Sequence, residues 1–144
     1  VATIAALARA SGTSITGTEL GVMRATAVQR AQFLNATSAI STRWEHDDTD
    51  QFDTVVESWK LLNMLVGFSQ NRHITQEHQR ATAILAFGRR HVGRHRNPAM
   101  IADALREIAG HVSDGDGSAA ADIVRDLYAF VALPYLLELG ITIR

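Results

Sequence analysis

The stretch from Phe52 to Val66 constrains the fold more than any other. Phe52, Val55, Val56, Trp59, Leu62 and Val66 recur at intervals of three and four. That spacing lines one face of a 3.6-residue helix and matches no face of a strand. Asp50 stands ahead of it as a cap. The same period returns elsewhere. Leu20, Met23, Ala27, Ala31 and Leu34 follow a cap at Thr18 and predict a helix reaching toward Ile40. Ala81, Ile84, Leu85 and Val92 belong to a helix starting at Thr75, with Glu77 near the positive end of its dipole. Asn97-Pro98 is a cap followed by proline at the first helical position, opening a helix with Ile101, Ala104, Leu105, Ile108 and Val112 inward. A last helix runs from Ser118 through Ile123, Val124, Leu127 and Val131.

The punctuation between these periods predicts the connections. Residues 2–10 form a short helix closed by Ser11-Gly12, and SGTSITGT (11–18) is turn chemistry. The helical pattern lapses around Arg43-Trp44, EHDDTD (45–50) is a solvated loop, and SDGDGS (113–118) is a turn. Pro134 should kink or end the last helix near Leu133. PYLLEL then adds a turn closed by Gly140, and ITIR (141–144) has strand character. Short connections without repeats or linkers predict an all-α chain, an antiparallel helical bundle of five or six helices forming a single domain over 1–144.

Composition removes several classes. At 144 residues, 47% apolar and 20% charged, the chain can bury a core and is not a disordered polyelectrolyte. No apolar run approaches the ~20 residues of a membrane span, so no membrane partner is expected. The opening VATIAALARA is too short for a span and lacks the basic start of a signal peptide. It begins on Val1, as processing or trimming would leave it. Without cysteine there are no disulfides and no thiolate metal ligands.

Charge is unevenly placed. Residues 72–96 hold six Arg and four His against one acid, Glu77, whereas residues 45–57 hold six acids and no base. A formal net charge of −1 therefore hides a basic segment and an acidic one. Such separation speaks to partners and association, not to fold. Within GRRHVGRHR (88–96), Arg89, Arg90, Arg94 and Arg96 can grip phosphate bidentately, and Gly88 and Gly93 let the backbone approach a polyanion. Aromatic residues are absent from the run, so phosphate tracking is favoured over base stacking. The plain alternative is a solvated basic loop that pairs with EHDDTD of its own or a neighbouring subunit.

Motifs for catalysis and metal binding fall short. Taken in order, His46, His73-x-x-x-Glu77, His91-x-x-x-His95 and His111-x-x-x-x-Asp116 resemble the ligand string of hemerythrins, four-helix di-iron carriers. His95 falls at the loop end of its helix and His111 at the far end of the next, roughly 20 Å away at 1.5 Å per residue. The histidines therefore read as solvated or facing nucleic acid, with no metal or other cofactor. Asp114-x-Asp116-x-Ser118 copies the start of an EF-hand loop, but Arg125 stands where the bidentate Glu belongs. No nucleophile cluster, phosphate loop or carboxylate pair has motif support, and the chain reads as a non-enzyme.

The order of features resembles the coat proteins of rod-shaped plant viruses of the tobamovirus kind. The residues that carry the resemblance are AVQRAQF (27–33), the Arg43-Trp44 pair, the Asp-rich loop, and an apolar helix running into LVGFSQNRHITQE (65–77), followed by a basic-polar region and a final helix pair. The similarity spans about 90 residues. It implies RNA contacts at Arg30 and Arg72. Gln70 stands where that family has a second Arg, the stretch between Trp44 and the third helix is shortened, and RRHVGRHR has no counterpart.

These features lead to the expectation of a structural coat (nucleocapsid) subunit that polymerises with copies of itself into a helical filament. It would bind nucleic acid, RNA rather than DNA, through Arg30, Arg72, Arg80, Arg89, Arg90, Arg94 and Arg96, in a virion or the cytoplasm. The rivals are a small metal- or ligand-binding helical bundle acting as sensor or carrier, and a plain oligomeric scaffold.

Overall fold

A computed structural model of the chain describes residues 2–46, 52–87 and 98–138. Those residues form an all-α helical bundle of six helices with no strand among them: α1 Ala2–Arg24, α2 Ala27–His46, α3 Phe52–Gly67, α4 Arg72–Phe87, α5 Pro98–Asp114 and α6 Gly117–Glu138. The expectations for Asp50 and for the strand character of 141–144 lie outside the described residues.

The N-terminal third differs from the sequence expectation. Residues 11–18 are not a turn but the middle of α1, and Thr18 caps nothing. Thr18 Oγ1 donates to the Ser14 carbonyl at 2.8 Å, one turn back within the helix. The small residues serve close approach instead. A Cβ on Gly17 would meet Ile74 Cγ2 at 2.7 Å and Val66 Cγ1 at 2.8 Å, and one on Gly21 would overlap the Leu65 carbonyl oxygen. Gly17 thus faces side chains of α3 and α4, whereas Gly21 faces the backbone of α3, an approach that requires glycine. It seats α1 against α3 and α4, while its remaining contacts go to α6.

The true break is at Ala25-Thr26. Thr26 and Gln29 form a capping box: Gln29 N donates to Thr26 Oγ1 (3.1 Å) and Thr26 N donates to Gln29 Oε1 (2.9 Å). From there α2 runs on past Arg43-Trp44 to His46. Its inner stripe is Phe33, Thr37, Ile40, Ser41 and Trp44. The Thr37 hydroxyl is satisfied by the Phe33 carbonyl at 2.7 Å, so a polar residue can sit in the core. Trp44 is buried, and its Nε1 donates to Ser58 Oγ at 2.8 Å, fastening α2 to α3.

The stripe on α3 holds where it is described. Trp59, Leu62 and Val66 are buried, joined by Leu61 and Leu65. The α4 helix begins at Arg72, three residues before the expected Thr75, because Asn71 caps it: Ile74 N donates to Asn71 Oδ1 at 3.1 Å. On α5, which starts at Pro98, Ile101, Leu105, Ile108 and Val112 are buried as expected. The turn at 114–116 is an αL stop. Gly115 has φ 73°, its N–H donates to the Val112 carbonyl, and Asp116 N–H donates to that of His111. Asp116 then caps α6 by accepting from Ala119 N at 3.1 Å. Pro134 does not end α6, which continues to Glu138.

One apolar cluster binds these elements, with Val22 from α1, Phe33 and Trp44 from α2, Leu62 and Leu65 from α3, Leu105 and Ile108 from α5, and Val124 from α6. Helix α2 lies chiefly against α5, and α1 against α6. The corner between α1 and α2 therefore meets the corner between α5 and α6. A Cβ on Gly117 would fall 2.6 Å from the Glu19 carbonyl oxygen.

Candidate nucleic-acid interface

Arg72 and Arg80 share α4. Arg72 is the first residue of the helix and is exposed, with no ion pair among the described residues. The turn before it is shaped by Gln70 at φ 55° and is tied to α1 by Arg24, whose Nη1 donates to the Ser69 carbonyl at 2.5 Å. Arg80 is also exposed, but its Nη1 lies 2.9 Å from Glu77 Oε1. Eight residues of helix separate the two guanidinium-bearing positions by about 12 Å along the axis. Arg89, Arg90, Arg94 and Arg96 lie outside the described residues.

Arg30 is placed differently from Arg72 and Arg80. It is half-buried at the meeting of the two corners, where its Nη2 donates to the Val22 carbonyl at 3.2 Å. Its Nη1 and Nη2 stand 3.5 Å from where a Gly115 Cβ would be, and its Nε is buried with no partner among the described residues. The side chain braces the corner.

His91 and His95 lie outside the described residues, and the described histidines of the string do not converge. His46 and His73 are exposed at helix ends, and His111 is half-buried near the end of α5. No group of three or more His, Asp or Glu able to hold a metal occurs among the described residues. Asp114 is the last residue of α5, and Asp116 caps α6. His78, which stands in no motif, is the buried one. It sits between α4 and α1 with Nδ1 2.7 Å from Ser14 Oγ, and its Nε2 has no partner among the described residues. Burial pushes the imidazole pKa down to about 4, so it is neutral near pH 7.

Opposite in sign to the α4 arginines is the outer surface of α5 and α6. Asp103, Glu107, Asp114, Asp116, Asp122 and Asp126 are all exposed there. The bases on these helices are engaged: Arg106 with Glu45 of α2, and more loosely with Asp103 at 3.7 Å, and Arg125 with Asp122 at 2.7 Å. The Arg106 guanidinium holds the Glu45 carboxyl below the ordinary carboxylate range. Sequence spacing missed this acidic surface because its carboxylates are scattered singly over two helices. No helix among the described residues is long and apolar enough to cross a membrane. No protein-family model, curated protein or solved structure matches the chain.

Proposed function

We propose that this chain is a structural subunit that assembles with copies of itself and coats a nucleic acid, RNA rather than DNA, gripping phosphates through the arginines of residues 72–96. The observation that carries the reading is the separation of charge between elements. Among the described residues most exposed carboxylates lie on α5, α6 and the turn between them, with Glu19 and Glu45 elsewhere, whereas Arg72 and Arg80 stand on α4 and the arginine run follows it in sequence. Two unlike patches on one chain supply the two halves of a head-to-tail contact, and head-to-tail contacts that do not close give filaments. The resemblance to rod-shaped virus coat proteins supports the same reading. Arg30, engaged at the corner, contributes to the shape of the subunit more than to phosphate binding.

The test is a salt series of RNA and DNA binding by the wild-type chain and by a variant with Arg89, Arg90, Arg94 and Arg96 all replaced by Gln, beside electron microscopy and an A260/A280 reading of the purified protein. Filaments with high A260 are expected, with affinity falling steeply with salt. Each lost phosphate contact should flatten the log–log slope by about 0.7 for a single strand or about 0.9 for duplex DNA. Equal, salt-insensitive binding by the two proteins sinks the nucleic-acid reading and leaves a helical scaffold.

A further inference from the structure

Between α5 and α6 runs a groove of about 580 Å³ with Met100, Ile123 and Leu127 in its floor and Asp103, Glu107 and Asp126 at its rim. Glu107 and Asp126 have no ion-pair partner among the described residues, and Asp103, 73% exposed, has only the loose approach of Arg106. An apolar floor with an acidic rim excludes an acidic or purely polar occupant. It fits a chain that alternates guanidinium groups with apolar or aromatic-like side chains.

We infer that this groove receives the arginine-rich segment 88–96 of a second copy of the chain, and so forms the acidic half of the head-to-tail contact. The inference rests on the assembly reading above and names the surface that reading leaves open. Three things favour this occupant. First, GRRHVGRHR is the one strongly basic stretch of the chain, and it interleaves Val92, His91 and His95 with its arginines. Second, the spacings agree. Asp103 and Glu107, four residues apart on a helix, are offset by about 6 Å along its axis, and an extended Arg-x-Arg such as Arg94-x-Arg96 presents its side chains about 7 Å apart. Third, the acidic stretch noted in the sequence is partly spent within the subunit, since Glu45 is held by Arg106. The four arginines of residues 88–96 outnumber the three rim carboxylates, so a docked segment keeps positive charge for phosphate.

The experiment compares sedimentation of the full chain, without nucleic acid, over a range of concentration and salt. The variants are Asp103→Asn/Glu107→Gln/Asp126→Asn and the four-arginine Gln variant, with circular dichroism confirming helix content. Glu107→Gln alone serves as a milder second arm. Wild type should self-associate at low salt and dissociate as salt rises. Each multiple variant should associate about tenfold more weakly. Mixed together, the two should form a complex that stops at one copy of each, since one keeps the groove and the other keeps the arginines. A groove variant that assembles as wild type does overturns the inference and leaves the assembly reading standing. A wild-type chain that assembles only when RNA is added overturns it too, whereas one that stays monomeric with and without RNA removes the assembly reading itself.

Discussion

Ser14 on α1 and His78 on α4 are 64 positions apart, yet Oγ and Nδ1 lie 2.7 Å from each other in a buried seam. Neither residue belongs to a motif, and the pair exists because α1 continues unbroken through the small residues that look like a turn. The bond fixes one ring nitrogen and leaves the other, Nε2, dry. A protonated ring would bring a charge into that seam, which is why burial lowers the pKa to about 4.

Stability should therefore depend on pH through His78. The folded-state pKa lies below the unfolded value of 6.5, so the unfolded chain takes up the proton first as pH falls. The contribution is complete above pH 6.5 and is lost progressively down to about pH 4, amounting to about 3 kcal/mol. Glu45, held below the carboxylate range by Arg106, stays ionised over the upper part of that window. Urea titrations from pH 7.5 to 4.5 should show wild type losing most of that amount of stability relative to His78→Gln. Parallel profiles for the two proteins would place the imidazole in water.

Two glycines should respond in opposite senses to the same substitution. Gly21→Ala forces a methyl group into the Leu65 carbonyl, which is backbone and cannot step aside. The helices must separate, at a cost of about 1–3 kcal/mol or more. Gly110 lies within α5, is exposed, and has nothing within 4 Å of an added Cβ. Gly110→Ala should stabilise by about 0.5–1 kcal/mol through helix propensity alone. Thermal melts of both variants check the pair, and a neutral Gly21→Ala would mean that α1 does not cross α3 so closely.

Truncation of Trp59 tests the apolar stripe. The side chain is 8% exposed and packs in the main cluster. Trp59→Ala should cost about 3–5 kcal/mol in a denaturant titration. A loss under about 1 kcal/mol would mean that this face of α3 is not core.

What the sequence made legible, and what it hid, follows from how each helix is held. Helices α3 and α5 pack large apolar side chains on one face, so Trp59, Leu62, Ile101, Leu105 and Ile108 announce themselves by spacing. The Asp114–Ser118 turn and the Pro98 start are written in residues with few other uses. Helix α1 instead packs through Gly17 and Gly21, and α2 buries Thr37 and Ser41 beside Phe33 and Trp44. Glycine, serine and threonine are the vocabulary of turns and of close helix contacts alike, and only the partner helix decides between them. Thr26-x-x-Gln29 was the available signal for the real boundary. The acidic groove was hidden for a different reason: Asp103, Glu107 and Asp126 come together only when α5 and α6 pack. The arginine run was legible as a charge, while its acceptor was not.

The ion pair between Arg80 and Glu77 gives the nucleic-acid reading a test inside α4. Arg72 has no ion pair among the described residues, whereas Arg80 must exchange Glu77 Oε1, 2.9 Å away, for any phosphate it contacts. Surface pairs of this kind are worth about 0–1 kcal/mol. Removing the carboxylate by Glu77→Gln should therefore strengthen single-stranded RNA binding, by up to about fivefold, because the exchange no longer opposes it. The salt dependence should steepen as Arg80 becomes a full contact. Arg72→Gln should flatten the slope by about 0.7, and Arg80→Gln by less, since part of that charge is already neutralised. In the Glu77→Gln background, however, Arg80→Gln should cost as much as Arg72→Gln. These are binding effects on an exposed face, so melting temperatures should move little. Identical RNA affinity and slope in wild type and all four variants would exclude α4 from the interface, and any phosphate contact would then fall to Arg89, Arg90, Arg94 and Arg96 alone.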